Sequence, residues 1–280
     1  MTPALPPTPH AMPDHLLFSW QRVGGLVLRY LFLLRNSWTR VIDMIYWPTV
    51  QMLLWGMMTK YLLTNTSWLA QAAGVLVSGA LLWDVVFRGQ LGVSMMFMEE
   101  MYSRNLGHLF ISPLRPYEMA AAMITMSFIR TVISFTGSSL LALAVYKINV
   151  FDQGFAMLTF FINLLVFGWG MGLLICGMLL RYGFAAESLA WAAVFALAPV
   201  SGIYYPVSTL PNWLRPVAAA LPSSHVFEGM RALLIDHVYR YDLLRNAVLL
   251  NVFYLGLGTA VFLGVFAIAR RRGLLLSVGE

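Results

Sequence analysis

Charge is what this sequence has least of. Only 11% of its 280 residues are Asp, Glu, Lys or Arg, where an ordinary globular domain carries about 25%. So few charges cannot cover a water-facing surface, and a soluble fold is excluded. Cysteine is reduced to one residue, Cys176, inside an apolar run. A disulfide within the chain is therefore impossible and a cysteine metal cluster is excluded. The thiol reads as a small buried apolar side chain. Histidine is sparse too. His10, His15, His108, His225 and His237 show no HExxH or comparable spacing, so no metal site is expected. Ser223, Ser224 and His225 are adjacent only in sequence, which does not make a nucleophile–base pair, and no catalytic residue is assigned.

What the chain has in abundance is apolar surface. Sixty per cent of it is hydrophobic and its mean hydropathy is +0.74. Long apolar runs recur, each near or above the ~20 residues that cross about 30 Å of hydrocarbon. The net charge of +6 comes from 18 Lys and Arg against 12 Asp and Glu. In this setting it marks arginines flanking membrane spans. No basic patch is interleaved with exposed aromatics, so nucleic acid is not an expected partner. The first residues, MTPALPPTPHAMPDHL, have no basic n-region and no apolar h-region before a small-residue cleavage site. Their prolines predict a disordered tail over 1–13.

The rest reads as an all-α integral membrane protein. Asp14 is placed as the N-cap of an amphipathic helix over 14–40. Arg22, Arg29, Asn36 and Arg40 fall on one stripe of it, which suits a helix lying in the membrane interface with its basic face toward water and headgroups. Residues 41–272 read as a six-span transmembrane domain. The spans are set at 41–63, 72–98, 119–146, 154–180, 188–206 and 243–269. The first holds Pro48, which can kink it. The fourth is rich in glycine (Gly168, Gly170, Gly172, Gly177), which lets helices approach closely. Residues 207–241 differ: Pro211, Pro216 and Pro222 cut them into pieces too short to cross. They read as a re-entrant or interfacial hairpin of two short helices, with Ser223 or Ser224 capping the second. Residues 273–280 form a C-terminal tail.

Arginine and lysine set the orientation. With the N-terminal helix inside, ten of them face inward (Arg22, Arg29, Arg35, Arg40, Arg104, Arg115, Arg181 and Arg270 to Arg272) and six face outward (Lys60, Lys147, Arg215, Arg231, Arg240, Arg245). This predicts both termini in the cytoplasm.

The polar interruptions are the candidate functional elements. The segment EEMYSRNLGHLFISPLRPYE at 99–118 is cytoplasmic in this topology. Met101, Leu106, Leu109 and Phe110 can line one face of a short helix there. That helix either docks a partner or packs on its own bundle, and the residues alone leave both readings open. Within the spans stand Asp84, Arg88 and Arg130. Each charge costs at least about 2.5–3.5 kcal/mol to insert, and Asp84 and Arg88, four apart on one helix face, can neutralise each other. They either hold the fold or line a path in which a cation meets an anionic headgroup. Trp83, Phe87, Trp169, Trp191, Tyr204 and Tyr205 either face that path or pack at span ends as an aromatic belt.

Two of these segments carry a resemblance. The 99–118 pattern is similar to the permease subunits of ABC exporters of the type-two superfamily, the class that includes bacterial polysaccharide, nodulation-factor and drug exporters. In that family an acidic pair opens a coupling helix after the second span and the helix runs through a Leu-rich turn into Ser-Pro-Leu. Glu99, Glu100, Arg104, Leu106, Leu109, Ser112, Pro113 and Leu114 match it. TLPNWLRPVAAALPSSHVFEGMRALL at 209–234 resembles the family's signature before the last span. The resemblance covers nearly the whole chain and implies a homodimeric permease in the bacterial inner membrane. Two copies of a separate ATPase would bind ATP and Mg2+ and engage the 99–114 coupling helix. This chain would hold no cofactor, and it lacks the GxxxxGK[ST] phosphate loop. Pro211, Trp213, His225, Glu228 and Arg231 would belong to an outer gate. A glycan, glycolipid, lipid or hydrophobic drug all suit as substrate. The rival classes are an ion-coupled carrier, which usually shows internal repeats and helices broken at the midplane, and a membrane-embedded lipid-modifying enzyme. The second needs Asp, His or Ser concentrated at one depth, which the sequence does not offer.

Overall fold

The computed structural model describes residues 18–65, 70–147, 149, 151 and 154–271. The expected terminal tails, the Asp14 cap, Arg272 and the side chain of Phe110 lie outside the described residues. Among those described, every regular element is helical: α1 (Trp20–Arg35), α2 (Trp38–Asn65), α3 (Ala70–Tyr102), α4 (Leu106–Ile111), α5 (Pro116–Leu141), α6 (Phe155–Tyr182), α7 (Glu187–Val200), α8 (Arg215–Ala219), α9 (Pro222–Asp236) and α10 (Tyr241–Arg271).

Four helical stretches are long and apolar enough to cross a membrane: Val75–Tyr102, Pro116–Tyr146, Phe155–Val200 and Tyr241–Arg271. The 46-residue stretch covers the expected fourth span from Phe155 on and the expected fifth as far as Val200. It is not straight. Gly183, at φ +63°, ends α6, and a single 3-10 turn over Gly183–Ala186 leads into α7. The chain then folds back along α3. Gly168 of α6 lies against Gly89, while Gln90, the next residue of α3, donates to the Ala190 carbonyl of α7 at 2.8 Å. Farther on, Ile203 reaches the level of Gly79.

Three local expectations are corrected. The helix expected over 14–40 breaks at Asn36 and Ser37, two residues whose side chains compete for backbone hydrogen bonds, and α2 starts beyond them. The acidic pair Glu99–Glu100 does not open a helix: it lies in the last turn of α3, and only Leu106–Ile111 form the short helix that follows. Arg104, at φ +51°, makes the bend between them. Neither Ser223 nor Ser224 caps α9. Pro222 takes the first helical position, and the Ser223 hydroxyl pairs with that of Ser201 at 2.8 Å.

Helix α6 is the centre of the bundle, packed against α3 on one side and α10 on another. Its glycines make both contacts possible. A Cβ on Gly168 would lie 2.9 Å from the Val86 carbonyl oxygen, and one on Gly170 2.9 Å from the Tyr254 carbonyl carbon. Gly258 of α10 faces the Gly170 carbonyl just as closely. Small residues at crossing points let backbones touch where no hydrophobic effect drives helices together. One buried amide contact adds direction: Asn251 Nδ2 of α10 donates to the carbonyl oxygen of Asn163 at 3.0 Å and to its side-chain oxygen at 2.9 Å.

The glycine contact can be tested against a neighbour on the opposite face. Gly258→Leu overpacks the α6–α10 crossing, at a cost of about 1–3 kcal/mol, and should lower the unfolding temperature in detergent by several degrees. Gly256→Leu, where nothing stands within 4 Å of an added Cβ, should leave it unchanged.

Candidate functional site

The charged residues of the expected coupling region do not sit free. Glu100 is 1% exposed. Its carboxylate accepts from Arg29 Nη2 at 3.1 Å and Asn105 Nδ2 at 2.7 Å, with Arg29 Nη1 3.0 Å from the other oxygen. Glu99 pairs with Arg40 of α2 at 3.2 Å. A third carboxylate, Glu118, completes the set. It is fully buried and accepts from Arg22 Nη2 at 2.7 Å and Nε at 2.9 Å, from the Ser19 amide at 2.9 Å and from the Arg115 amide at 3.0 Å. Three acids at the end of α3 and the start of α5 thus hold three arginines of α1 and α2. The basic stripe expected to face water and headgroups turns inward at Arg22, Arg29 and Arg40. Hydrogen bonding to Glu118 raises the Arg22 pKa above its ordinary value. Tyr30, buried beside this cluster, has its phenol pushed up by loss of solvent.

Glu118 escaped sequence reasoning, although a signal was present. It stands three residues after Arg115 and two after Pro116, ahead of an apolar run, which is the pattern of a capped helix start. The structure shows that cap: Glu118 reaches back to the Arg115 backbone amide.

Beyond this collar of three carboxylate–arginine pairs, the 103–114 segment splits in two. Leu106 is buried, and Leu109 and Leu114 pack half-buried against the same core. Arg104, Ser112 and Pro113 are exposed. The Ser112 hydroxyl donates to the Leu109 carbonyl at 2.6 Å and accepts from the Leu114 amide at 3.3 Å. The α6–α7 turn meets this end of α3. The Tyr102 hydroxyl donates to Glu187, and its ring stacks on Phe184 with centroids 4.6 Å apart.

Deeper in the bundle the pair expected from spacing is formed: Arg88 Nε donates to Asp84 Oδ2 at 2.7 Å. Ser134 of α5 donates to the same oxygen at 3.3 Å. Ser127, on the same face of α5, reaches the Gly89 carbonyl at 3.2 Å. Arg130 is half-buried on the turn of α5 between these two serines. Tyr204 and Tyr205 serve other contacts. Tyr204 stacks on Trp55 of α2 at 4.1 Å, and the Tyr205 hydroxyl donates to the Pro199 carbonyl at 2.6 Å. Phe87 and Trp191 meet edge to face at 6.0 Å.

The 207–241 segment is braced from within. Glu228 Oε1 accepts the Val207 amide at 2.6 Å and lies 3.0 Å from Arg231 Nη1. Arg231 Nη2 in turn donates to the Gly202 carbonyl at 2.7 Å. His225 Nε2 is 2.9 Å from the Ala219 carbonyl oxygen, and Arg215 Nε holds the Leu210 carbonyl at 2.9 Å. Pro211 accepts the Leu214 amide at 2.9 Å, and Trp213 projects outward.

A helical bundle with apolar spans, polar brackets at their ends and charge pairs between helices defines a polytopic membrane protein. A family model described as ABC-2 type transporter matches residues 30–235, from the last turns of α1 through the end of α9. The chain belongs to the ABC-2 type transporter family. Membership makes it a transporter membrane component and implies pairing with an ABC ATPase. A search of curated proteins finds no match to it.

If Glu118 and Arg22 act as one unit, their substitutions will not add. Glu118→Gln should lower the unfolding temperature by several degrees. Arg22→Gln in the Glu118→Gln chain should then cost little more. A double-mutant cycle on thermal unfolding measures this.

Proposed function

We propose that the chain is the permease subunit of an ATP-driven exporter, and that two copies form the translocation path while a separate ATPase supplies the energy. One observation carries this reading: the transporter family match runs from Tyr30 to Ile235, from the last turns of α1 through α9. The sequence has no phosphate loop of its own, so the energy must enter from a partner.

In this reading the bundle crosses the membrane six times. Helix α2 has 28 residues, or about 42 Å at 1.5 Å per residue, long enough to span. Helix α7 and the turn after it make the return crossing that folds back along α3. Helices α8 and α9 form the re-entrant hairpin, and the inner-membrane orientation with both termini in the cytoplasm follows from the arginine count. The Glu228–Arg231 brace ties the hairpin to the end of α7, so α7 and α9 would shift together as an outer gate. Asp84, Arg88 and Arg130 would border the path, and a glycan, glycolipid, lipid or hydrophobic drug suits as substrate.

Coupling would use the exposed part of the 99–114 segment rather than its acidic pair. Glu99 and Glu100 are committed to α2 and α1, so an ATPase would meet the exposed Ser112 and Pro113, with Arg104 exposed at the bend before them. A push on this bend would pass through the carboxylates to α1, α2, α3 and α5 at once. This is rigid-body switching of a braced block.

The division of roles gives a test. Pro113→Lys changes an exposed position whose side chain makes no hydrogen bond and should leave the unfolding temperature unchanged. It should reduce co-purification of the ATPase at least tenfold and abolish permease-stimulated ATP hydrolysis. An intact complex with intact stimulation would remove the docking role from this segment.

A further inference from the structure

At the end of the bundle where α5 begins and α10 ends, the two helices touch only sparsely. Between them is an open groove of about 490 Å³, lined by Pro116, Leu263, Phe266, Ala267, Arg270 and Arg271. Its volume falls in the range of about 300–1,000 Å³ typical of small-molecule sites. Its chemistry is divided along α10. Leu263, Phe266 and Ala267 form an apolar wall inside the span, and Arg270 and Arg271 form a basic rim at the end of that span.

Among the described residues, no acidic group answers the positive charge at this rim. From Leu243 to Arg271 the sequence of α10 holds no acidic residue. No hydrogen bond or ion pair joins either arginine to another described residue. The carboxylate at the start of α5, Glu118, is fully occupied by Arg22, Ser19 and Arg115. Two arginines at a helix C-terminus are also what the helix dipole and membrane orientation favour. That alone does not account for a groove beside them, apolar on its membrane side and cationic where headgroups lie.

We propose that this groove binds one anionic phospholipid, its phosphodiester at Arg270 and Arg271 and an acyl chain along Leu263, Phe266 and Ala267. Basic pockets between membrane helices suit such headgroups. The lipid would fill the gap that α5 and α10 leave between them. The inference depends only on the chain being a membrane protein, not on the export reading.

Native mass spectrometry of the full chain in detergent tests it, with phosphatidylglycerol, phosphatidylcholine and sodium phosphate as separate probes. One phosphatidylglycerol should bind per chain, at least tenfold more tightly than phosphatidylcholine. Replacing both arginines (Arg270→Gln with Arg271→Gln) should weaken it roughly 25-fold, the product of about fivefold for each cation near a headgroup. Ala267→Trp keeps both charges but fills the groove. It should also displace the lipid, with the unfolding temperature in lipid-free detergent unchanged. Equal binding of the two lipids, or no effect of either variant, overturns the proposal. So does displacement of all lipid by millimolar phosphate, which would make the site one for a free anion. Lipid binding only after deletion of residues 272–280 would make the chain's own C-terminus the occupant, and overturns it too.

Discussion

The structure depends on three carboxylates that sit where two membrane helices meet water. Glu99, Glu100 and Glu118 lie at the end of α3 and the start of α5, and between them they hold Arg40, Arg29 and Arg22. Amphipathicity alone would let α1 slide and rotate on a membrane surface. A buried carboxylate with four donors, as at Glu118, removes that freedom. The cost of burying the charge is offset only because its lone pairs are filled. Removing one partner would therefore leave an uncompensated charge rather than merely lose a contact.

The second constraint is close approach. Hydrocarbon gives helices no hydrophobic reason to pair, so α3, α6 and α10 rely on backbone contact through Gly89, Gly168, Gly170 and Gly258. The Asn163–Asn251 contact gives the α6–α10 crossing a register. Within this frame α7 is half exposed, with only Ala190 and Val194 buried. It is tethered to α3 by the Gln90 hydrogen bond and to the hairpin through Ser201 and Arg231. Under the export reading, the collar and the three-helix core form a stiff body, and α7 with the hairpin forms the part that yields.

Much of this was legible in the sequence, because membranes impose coarse rules. Apolar run length placed the long helices, and the i,i+4 spacing of Asp84 and Arg88 anticipated their pairing. The prolines at 211, 216 and 222 marked the broken segment, and the glycines of α6 marked the tight crossings. What stayed hidden was tertiary pairing. The stripe of Arg22, Arg29 and Arg40 looked the same whether it faced headgroups or carboxylates, since periodicity gives a face and not its partner. Glu118 lay in a legible cap, but its partner stands 96 residues away. Glu99 and Glu100 looked like a helix start because the family resemblance puts an acidic pair there, and the bend at Arg104, which separates them from α4, carries no glycine or proline to announce it. Ser223 matched a capping residue by type. Pro222 before it had already set the helix start, and the hydroxyl turned to Ser201.

The central claim is that ion pairs, rather than the membrane, fix α1 on the bundle. Spin-label distances between Leu28→Cys and His108→Cys in a Cys176→Ala background measure this directly. The account predicts a single narrow distance, the same in lipid and in detergent, that broadens when Glu99, Glu100 and Glu118 are all replaced by Gln. A distance already broad in detergent with the three carboxylates intact would contradict it.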